Sequence, residues 1–339
     1  MSAFGLDIGS QTIKAIQLEK QGENFVILAA GITPAPPGGL ISGNEKSINS
    51  VSTAIKKLIS DSKIQAKQVN ISLSESLVFT RLIQLPLLTD EEVASAISWQ
   101  AEPYIPIPIS EAVIDYQVVA RKDPGTNDPG KTEVLLVAAP KTLVETYIKT
   151  VNLAGLDVTS VETELISLSR SIAPVDQTIL LVDLGTSSTD LAIVKKGQLV
   201  LSRSIPTGGD VITRAVSSGL SLSLNQAEEY KKAYGLRGDQ LEGKVKSVIE
   251  PAFRLVIDEM KKIIQYYKNE VDKDDQVGLV VVSGGGASMS DVTTALSQNL
   301  GLEIIIGDPF AKVIKDEQAN KALTTWAPYY GIAVGLAQI

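Results

Sequence analysis

Two polar segments, each following an apolar run, carry the residue types best suited to chemistry in this chain. Asp7 to Lys14 reads DIGSQTIK, and Asp183 to Leu191 reads DLGTSSTDL. Each predicts a strand, a tight polar turn and a second strand, and the turn glycines let backbone N–H groups approach an anion. One such segment alone is also typical of a surface hairpin. Two of them, well separated along the chain, predict a clamp that holds a polyphosphate from both sides.

These two turns supply the predicted ligand contacts. Asp7 and Asp183 stand at strand ends, where their carboxylates could reach a hydrated Mg²⁺. Lys14, on the strand that leaves the first turn, would either point back toward bound phosphates or lie on the surface of a hairpin. The predicted phosphate-binding residues are Gly9, Ser10, Gln11, Thr12, Lys14, Gly185, Thr186, Ser187 and Ser188.

Two glycine-rich loops each lie between a predicted strand and a predicted helix. Gly284, Gly285 and Gly286 follow an apolar run, and the tripeptide Gly208, Gly209, Asp210 opens a helical segment. Backbone approaches a flat or anionic ligand closely only where side chains are absent, and a helix N-terminus favours negative charge. Either loop is also compatible with an ordinary connection. Their occurrence beside two phosphate turns favours contacts with a nucleotide.

Bulk composition excludes several classes of chemistry. The chain has 339 residues, a net charge of −8, no cysteine and no histidine, which excludes disulfides, thiol chemistry and histidine-based catalysis. The acidic balance argues against a nucleic-acid surface. No secretory signal is visible, and the apolar runs are far shorter than the ~20 residues that cross a bilayer. We expect a cytoplasmic protein.

The predicted elements repeat in two halves, each beginning with three strands around its polar turn. A strand–helix–strand–strand module over residues 76–139, with a turn at 122–131, interrupts the first half. In the second half the segment 208–270 is helical, and Pro251 is predicted in the first turn of its long helix. A final helix around 327–337 presents small residues on one face.

These motifs resemble those of the actin-like ATPase superfamily, which includes actin, sugar kinases and heat-shock chaperones. Asp7 to Lys14 resembles its first phosphate motif, Asp183 to Asp190 its second, and Ser283 to Met289 its adenosine motif. The resemblance implies that ATP or ADP binds together with Mg²⁺, and that Met289 contacts the nucleoside.

Three further residues take roles through this resemblance. Glu228 and Lys231 are one turn apart on a predicted helix, and from spacing alone they are typical of a solvated surface pair. The E-x-x-K pattern of the superfamily places them beside adenine and ribose instead. Glu164, on the first connecting helix, is the best candidate to orient a hydrolytic water. Because no histidine supports it, we expect at most a slow ATPase.

The inserted module resembles the 1C, or SHS2-like, subdomain of the FtsA and PilM families. The string WQAEPYIP from Trp99 to Pro106, with Glu111, Asp115 and Tyr116, is closer to PilM. The resemblance implies an ATP-binding scaffold of the type IV pilus, or related type II secretion, inner-membrane assembly platform. It further implies binding of the cytoplasmic N-terminal peptide of a membrane-anchored PilN-type protein, contacts with other platform components, and self-association.

Two other functions are compatible with the sequence. An FtsA-like cell-division or cytoskeletal protein would polymerise with ATP. A phosphotransferase such as a sugar kinase would need a substrate cleft in the first domain, where the insertion is expected. In the scaffold interpretation the protein is peripheral to the inner face of the cytoplasmic membrane, reaches it only through its partner, and binds no nucleic acid.

The predicted fold is an actin-like α/β fold. It has two duplicated domains, each with a five-stranded mixed sheet, and the 1C insertion in domain I. The predicted boundaries are 1–77 for the first part of subdomain 1A, 78–139 for 1C, 140–175 for the second part of 1A with the first connecting helix, 176–207 for the first part of 2A, 208–275 for 2B, 276–326 for the second part of 2A, and 327–339 for the second connecting helix.

Overall fold

The computed structural model describes residues 2–40, 43–125, 129–315 and 323–339. Its strands are β1 (Phe4–Ile8), β2 (Thr12–Gln21), β3 (Asn24–Pro34), β4 (Gln68–Leu73), β5 (Phe79–Pro86), β6 (Ala112–Lys122), β7 (Lys131–Pro140), β8 (Asp157–Thr163), β9 (Ile179–Leu184), β10 (Thr189–Lys195), β11 (Gln198–Ile205), β12 (Leu279–Ser283), β13 (Glu303–Ile306) and β14 (Val313–Ile314). Its α-helices are α1 (Glu45–Asp61), α2 (Asp90–Ala101), α3 (Lys141–Leu153), α4 (Glu164–Ile172), α5 (Gly209–Leu220), α6 (Leu224–Tyr234), α7 (Lys244–Tyr266), α8 (Val292–Leu300) and α9 (Gly331–Ala337).

Two sheets share one plan, which confirms the duplicated fold. The first runs β3-β2-β1-β4-β8 and the second β11-β10-β9-β12-β13, each with an antiparallel meander followed by two parallel strands. The expectation of five strands is right for the second sheet. The first has a sixth strand, β14, which pairs in parallel with Phe25 and Val26. A two-residue strand leaves no periodic pattern in the sequence, so this expectation was one strand short.

The central strands are apolar because both of their faces are covered. Every residue of β9 and β12 is buried, as expected for parallel strands between helical layers. The helices around them begin at polar caps. In α2, Thr89 accepts a hydrogen bond from the Glu92 backbone N–H while the Glu92 side chain accepts from that of Thr89, which is the predicted capping box.

The predicted helical segment 208–270 consists of α5, α6 and α7. Pro251 lies inside α7, two turns after its first residue, so its predicted place at the helix start is wrong. The apolar stripe of α7 extends toward its N-terminus through Val245 and Ile249, both fully buried. Burial of these side chains offsets the backbone hydrogen bond that a proline removes.

Helices α4 and α9 pack directly on each other. A Cβ placed on Gly335 would lie 1.8 Å from the Ser167 carbonyl oxygen, and one on Gly331 would lie 2.4 Å from Leu168 Cδ1. Ser171 Oγ donates to the Gly331 carbonyl at 2.8 Å. The small residues predicted on the last helix therefore allow a close crossing between the two connecting helices.

The inserted module forms a third sheet, β5-β7-β6, covered on one face by α2. Its other face meets the second half of the chain. Leu135 of β7 belongs to the same buried cluster as Leu165 of α4 and Leu181 of β9, and Leu82 packs against the core of the second sheet. Residues 126–128 of the predicted turn lie outside the described residues. No helix in the described part of the chain is long and apolar enough to cross a membrane.

Candidate functional site

A cleft of about 580 Å³ lies where the polar turns of the two sheets face each other. Every residue predicted to bind nucleotide or metal, or to act on water, lines it, so the structure brings the whole predicted set together. The two turns touch at their tips, where Ser187 Oγ donates to Ser10 Oγ at 3.1 Å.

The two turns have the same tight geometry. The Gly9 N–H donates to the Thr12 carbonyl at 3.1 Å, and a Cβ on Gly9 would lie 2.9 Å from that oxygen. In the second turn a Cβ on Gly185 would lie 2.9 Å from the Ser188 carbonyl oxygen. Both positions are therefore closed to larger side chains, which keeps the backbone of each turn accessible from the cleft.

Asp7 and Lys14 form an ion pair at the base of the first turn. Lys14 Nζ donates to Asp7 Oδ2 at 2.9 Å, and both side chains are largely buried. Burial alone would lower the pKa of Lys14, but the charge and hydrogen bond of Asp7 outweigh it, and the pKa lies above its ordinary value. Asp7 Oδ1 is buried without a hydrogen-bond partner among the described residues. An acceptor oxygen left in this state fits a cation or its water ligands.

Asp183 has a different neighbour from Asp7. In the strand register, Asp7 stands opposite Lys14, whereas Asp183 stands opposite Asp190. Burial and the charge of Asp190 raise the pKa of Asp183 to about 7. No group of three or more carboxylates in the described residues is arranged to hold a metal ion. A divalent cation here would need phosphate oxygens or water as its remaining ligands.

The start of α5 is bound to the second turn. The Gly209 N–H donates to the Gly185 carbonyl and the Asp210 N–H to the Thr186 carbonyl, both at 2.9 Å. A Cβ on Gly208 would lie 2.4 Å from the Thr186 oxygen. Both N–H groups are already hydrogen-bonded within the protein, so they are not free to bind a ligand. The segment 208–210 instead shapes the cleft through its backbone contacts.

Glu228 and Lys231 face the cleft rather than open solvent. They form an ion pair at 2.6 Å, and the Lys231 side chain is only 12% exposed. Lys231 Nζ also donates to the Gly209 carbonyl at 3.3 Å, while Thr213 Oγ1 donates to Glu228 at 2.6 Å. The pair thus connects α6 to α5 at the cleft wall.

The triple-glycine loop lies against the second turn. Gly284 has φ +80°, and a Cβ there would lie 2.2 Å from Asp183 Oδ1, so only glycine allows this approach. A Cβ on Gly286 would lie 2.7 Å from Leu184 Cβ. Met289, at the end of the loop, is buried, and its N–H donates to the Gly286 carbonyl.

Glu164, at the start of α4, is a partly buried acid that lines the cleft. Burial, reinforced by the charge of Asp7, raises its pKa well above the ordinary value of 4.5. Its Oε2 accepts the Glu75 backbone N–H at 3.2 Å. Glu75 was not among the predicted site residues, because it falls between the apolar strand that ends at Leu73 and the module predicted to begin at residue 76. The signal was available: Glu75 comes just after the apolar strand β4, much as Asp183 ends β9.

Two aromatic residues of the cleft were also missed. Trp326 and Tyr329 line it from the 3₁₀ segment Thr324–Tyr329 that precedes α9. The sequence placed this region at the boundary of the last helix. No pattern there distinguished a cleft-lining aromatic from a packing residue.

This architecture is that of the actin-like proteins. A solved PilM–PilN type IV pilus biogenesis complex has a TM-score of 0.86, at 24% identity over 100% of this chain and 98% of that one. MreB5 of Spiroplasma citri bound to ADP has a TM-score of 0.56, at 14% identity over 97% and 93%. The cell division protein FtsA of Streptococcus pneumoniae is 25% identical over 88% of this chain and 74% of its own length.

The sequence identifies one family among the proteins with this fold. Residues 5–338 match the family of the type IV pilus assembly protein PilM. The chain therefore belongs to the PilM family.

Proposed function

We propose that the cleft binds ATP or ADP with Mg²⁺, and that the protein is a nucleotide-binding scaffold of a type IV pilus inner-membrane platform. The observation that carries the proposal is the cleft lined by both glycine turns and by Asp7, whose Oδ1 has no hydrogen-bond partner among the described residues. The ADP complex of MreB5, which has the same fold, supports this reading.

Each predicted residue has a place in this proposal. The turn residues Gly9, Ser10, Gln11 and Thr12, with Gly185, Thr186, Ser187 and Ser188, surround the phosphates, and Lys14 supplies positive charge. Glu228, Lys231, Met289 and the loops 208–210 and 284–286 surround the nucleoside. Asp7 and Asp183 face the cation, which when bound would neutralise phosphate charge.

Turnover is expected to be slow. Glu164 is the group that would orient a hydrolytic water, and its raised pKa favours the neutral acid in the free cleft. A protonated carboxyl cannot accept a proton from water, and the chain has no histidine to replace it. Positioning without a tuned base gives modest acceleration. This agrees with a binding role for the nucleotide.

The partner in this proposal is the N-terminal peptide of a membrane-anchored PilN-type protein. The solved PilM–PilN complex supports it. The inserted module contributes an edge strand, β6, and such an edge or a neighbouring groove can receive an extended peptide. The protein would then lie at the inner face of the cytoplasmic membrane through its partner. The division of the chain into subdomains 1A, 1C, 2A and 2B, at the boundaries predicted from the sequence, is part of this proposal.

Calorimetry with Mg·ADP tests the nucleotide site. Asp7→Ala and Asp183→Ala should each lower affinity roughly tenfold or more, because a charge-assisted ligand contact is worth roughly 1.5–3 kcal/mol. Asp61→Ala, at an exposed ion pair on α1, is the matched control and should bind normally. Absence of binding by the unaltered protein, or equal affinity in all three variants, would contradict the proposal.

The FtsA relatives favour one alternative, an actin-family protein that polymerises with ATP. Sedimentation of the purified protein with and without Mg·ATP separates the two. A scaffold should stay in the supernatant and bind fluorescent PilN N-terminal peptide by anisotropy. ATP-dependent pelleting without peptide binding would favour the polymerising protein.

A further inference from the structure

Trp326 and Tyr329 form an aromatic pair on the wall of the cleft. Their ring centroids are 5.4 Å apart with a 58° tilt. Both residues line the cleft, and the Trp326 side chain is 45% exposed. An indole left this open offers a flat apolar face to the cleft.

The pair is fixed to the triple-glycine loop. The Gly284 N–H and Ser283 Oγ both donate to the Pro328 carbonyl at 3.1 Å. A Cβ on Gly285 would lie 3.0 Å from Tyr329 Cε1, so the tyrosine ring packs directly on the loop backbone. Because the aromatic segment is bound to the loop, its position is set by the same element that approaches Asp183.

The triple-glycine loop connects the aromatic pair with the predicted cation site. Gly284 contacts the cation-facing Asp183, and the next residue, Gly285, contacts Tyr329. The aromatic pair therefore packs on the loop residue that follows the one in contact with Asp183. A nucleotide whose phosphates lie between the two turns has a planar base at its other end, and Trp326 offers an open aromatic face in the same cleft.

We infer that Trp326 and Tyr329 form a stacking platform for the nucleobase, with Trp326 in contact with the base and Tyr329 holding the indole in place. The inference rests on the proposed nucleotide site and adds the group that selects the base. Stacking depends on the area of the π-face, so the platform favours purine over pyrimidine nucleotides. Polyphosphate without a base gains nothing from it.

The chain contains two tryptophans, which makes a direct optical test available. In a Trp99→Phe background Trp326 is the sole tryptophan, and its emission should change on addition of Mg·ADP but not of Mg·tripolyphosphate. Calorimetry on Trp326→Ala in the full chain should show roughly tenfold weaker ADP binding. Trp326→Phe, which keeps a ring, should recover most of the loss, and Mg·tripolyphosphate affinity should be unchanged in both variants.

The controls separate this inference from the nucleotide site itself. If ADP binds but Trp326→Ala leaves its affinity unchanged, the platform is wrong while the nucleotide proposal stands. If Trp326→Ala weakens tripolyphosphate as much as ADP, the residue is structural and the platform is again wrong. If the unaltered protein binds neither ligand, both proposals fail. CDP binding as tightly as ADP would overturn the purine preference.

Discussion

Ser202 on β11 donates a hydrogen bond of 2.6 Å to the Glu75 side chain, which comes from the segment after β4. The contact joins the edge strand of the second sheet to the end of a central strand of the first. The Glu75 backbone N–H simultaneously donates to Glu164 in the cleft. Burial raises the pKa of Glu75 and outweighs the Ser202 hydrogen bond, which lowers it, so the buried site favours the neutral acid.

Removing the Ser202 hydroxyl should destabilise the protein. Ser202→Ala leaves a buried carboxyl without its donor, and we expect a loss of about 1–3 kcal/mol in the free energy of unfolding. Glu75→Gln should cost less, because the amide oxygen can still accept from Ser202 and no charge is involved. Urea denaturation measures both. Ser50→Ala on the exposed face of α1 is the control and should change stability little.

Stability of the free protein should depend on the protonation of Glu164. Its native pKa is raised well above 4.5, so the native state keeps a proton that the unfolded chain releases as pH rises past about 4.5. The free energy of unfolding contributed by this group is therefore full below about pH 4.5 and falls as pH rises toward the native pKa. Glu164→Gln removes the titration.

Urea denaturation of both proteins from about pH 5 to about pH 8 measures this difference. The stability of Glu164→Gln relative to the unaltered protein should rise with pH. Glu45→Gln, on the exposed first turn of α1, corrects for the loss of one carboxylate. A constant difference between Glu164→Gln and the unaltered protein would show that Glu164 does not carry the effect.

Lys14→Met should destabilise the protein and increase its response to Mg²⁺. It leaves buried Asp7 without its ion-pair partner, a change that costs about 3–5 kcal/mol. A divalent cation at Asp7 would restore part of this, so thermal unfolding should show a larger Mg²⁺-induced rise in Tm for Lys14→Met than for the unaltered protein. Lys57→Met, at an exposed pair, should lose little. An equal Mg²⁺ response in both would place the cation elsewhere.

Gly335→Ala should loosen the two connecting helices. Its Cβ would lie 1.8 Å from the Ser167 carbonyl oxygen, and backbone must move to relieve it, at a cost of about 1–3 kcal/mol or more. Gly278→Ala places its Cβ 3.3 Å from Gln177 Oε1, which a flexible side chain can avoid. Denaturation midpoints should therefore fall for Gly335→Ala and stay nearly constant for Gly278→Ala.

The sequence could predict those features whose residues are consecutive in the chain. The polar turns after β1 and β9, and the glycine loop after β12, each show their motif in consecutive residues, and their strands follow regular patterns. Two kinds of feature have no local signal. The pairing of β14 with β3 depends on two residues, and the Glu75–Ser202 contact joins positions 127 residues apart. The charged neighbours of Asp7 and Asp183 differ because of strand register, which places Lys14 opposite Asp7 and Asp190 opposite Asp183.

Leu135 places a side chain of the inserted module inside a core shared with α4 and β9. The module is continuous in sequence, yet its inner surface is fitted to residues far along the chain. A chimera that exchanges residues 79–140 for those of a relative would therefore bring a foreign side chain against Leu165 and Leu181. The unit that can be transplanted between family members is therefore the module together with the side chains beneath it. Substitutions on its inner face must fit those side chains, whereas substitutions on its other face need not.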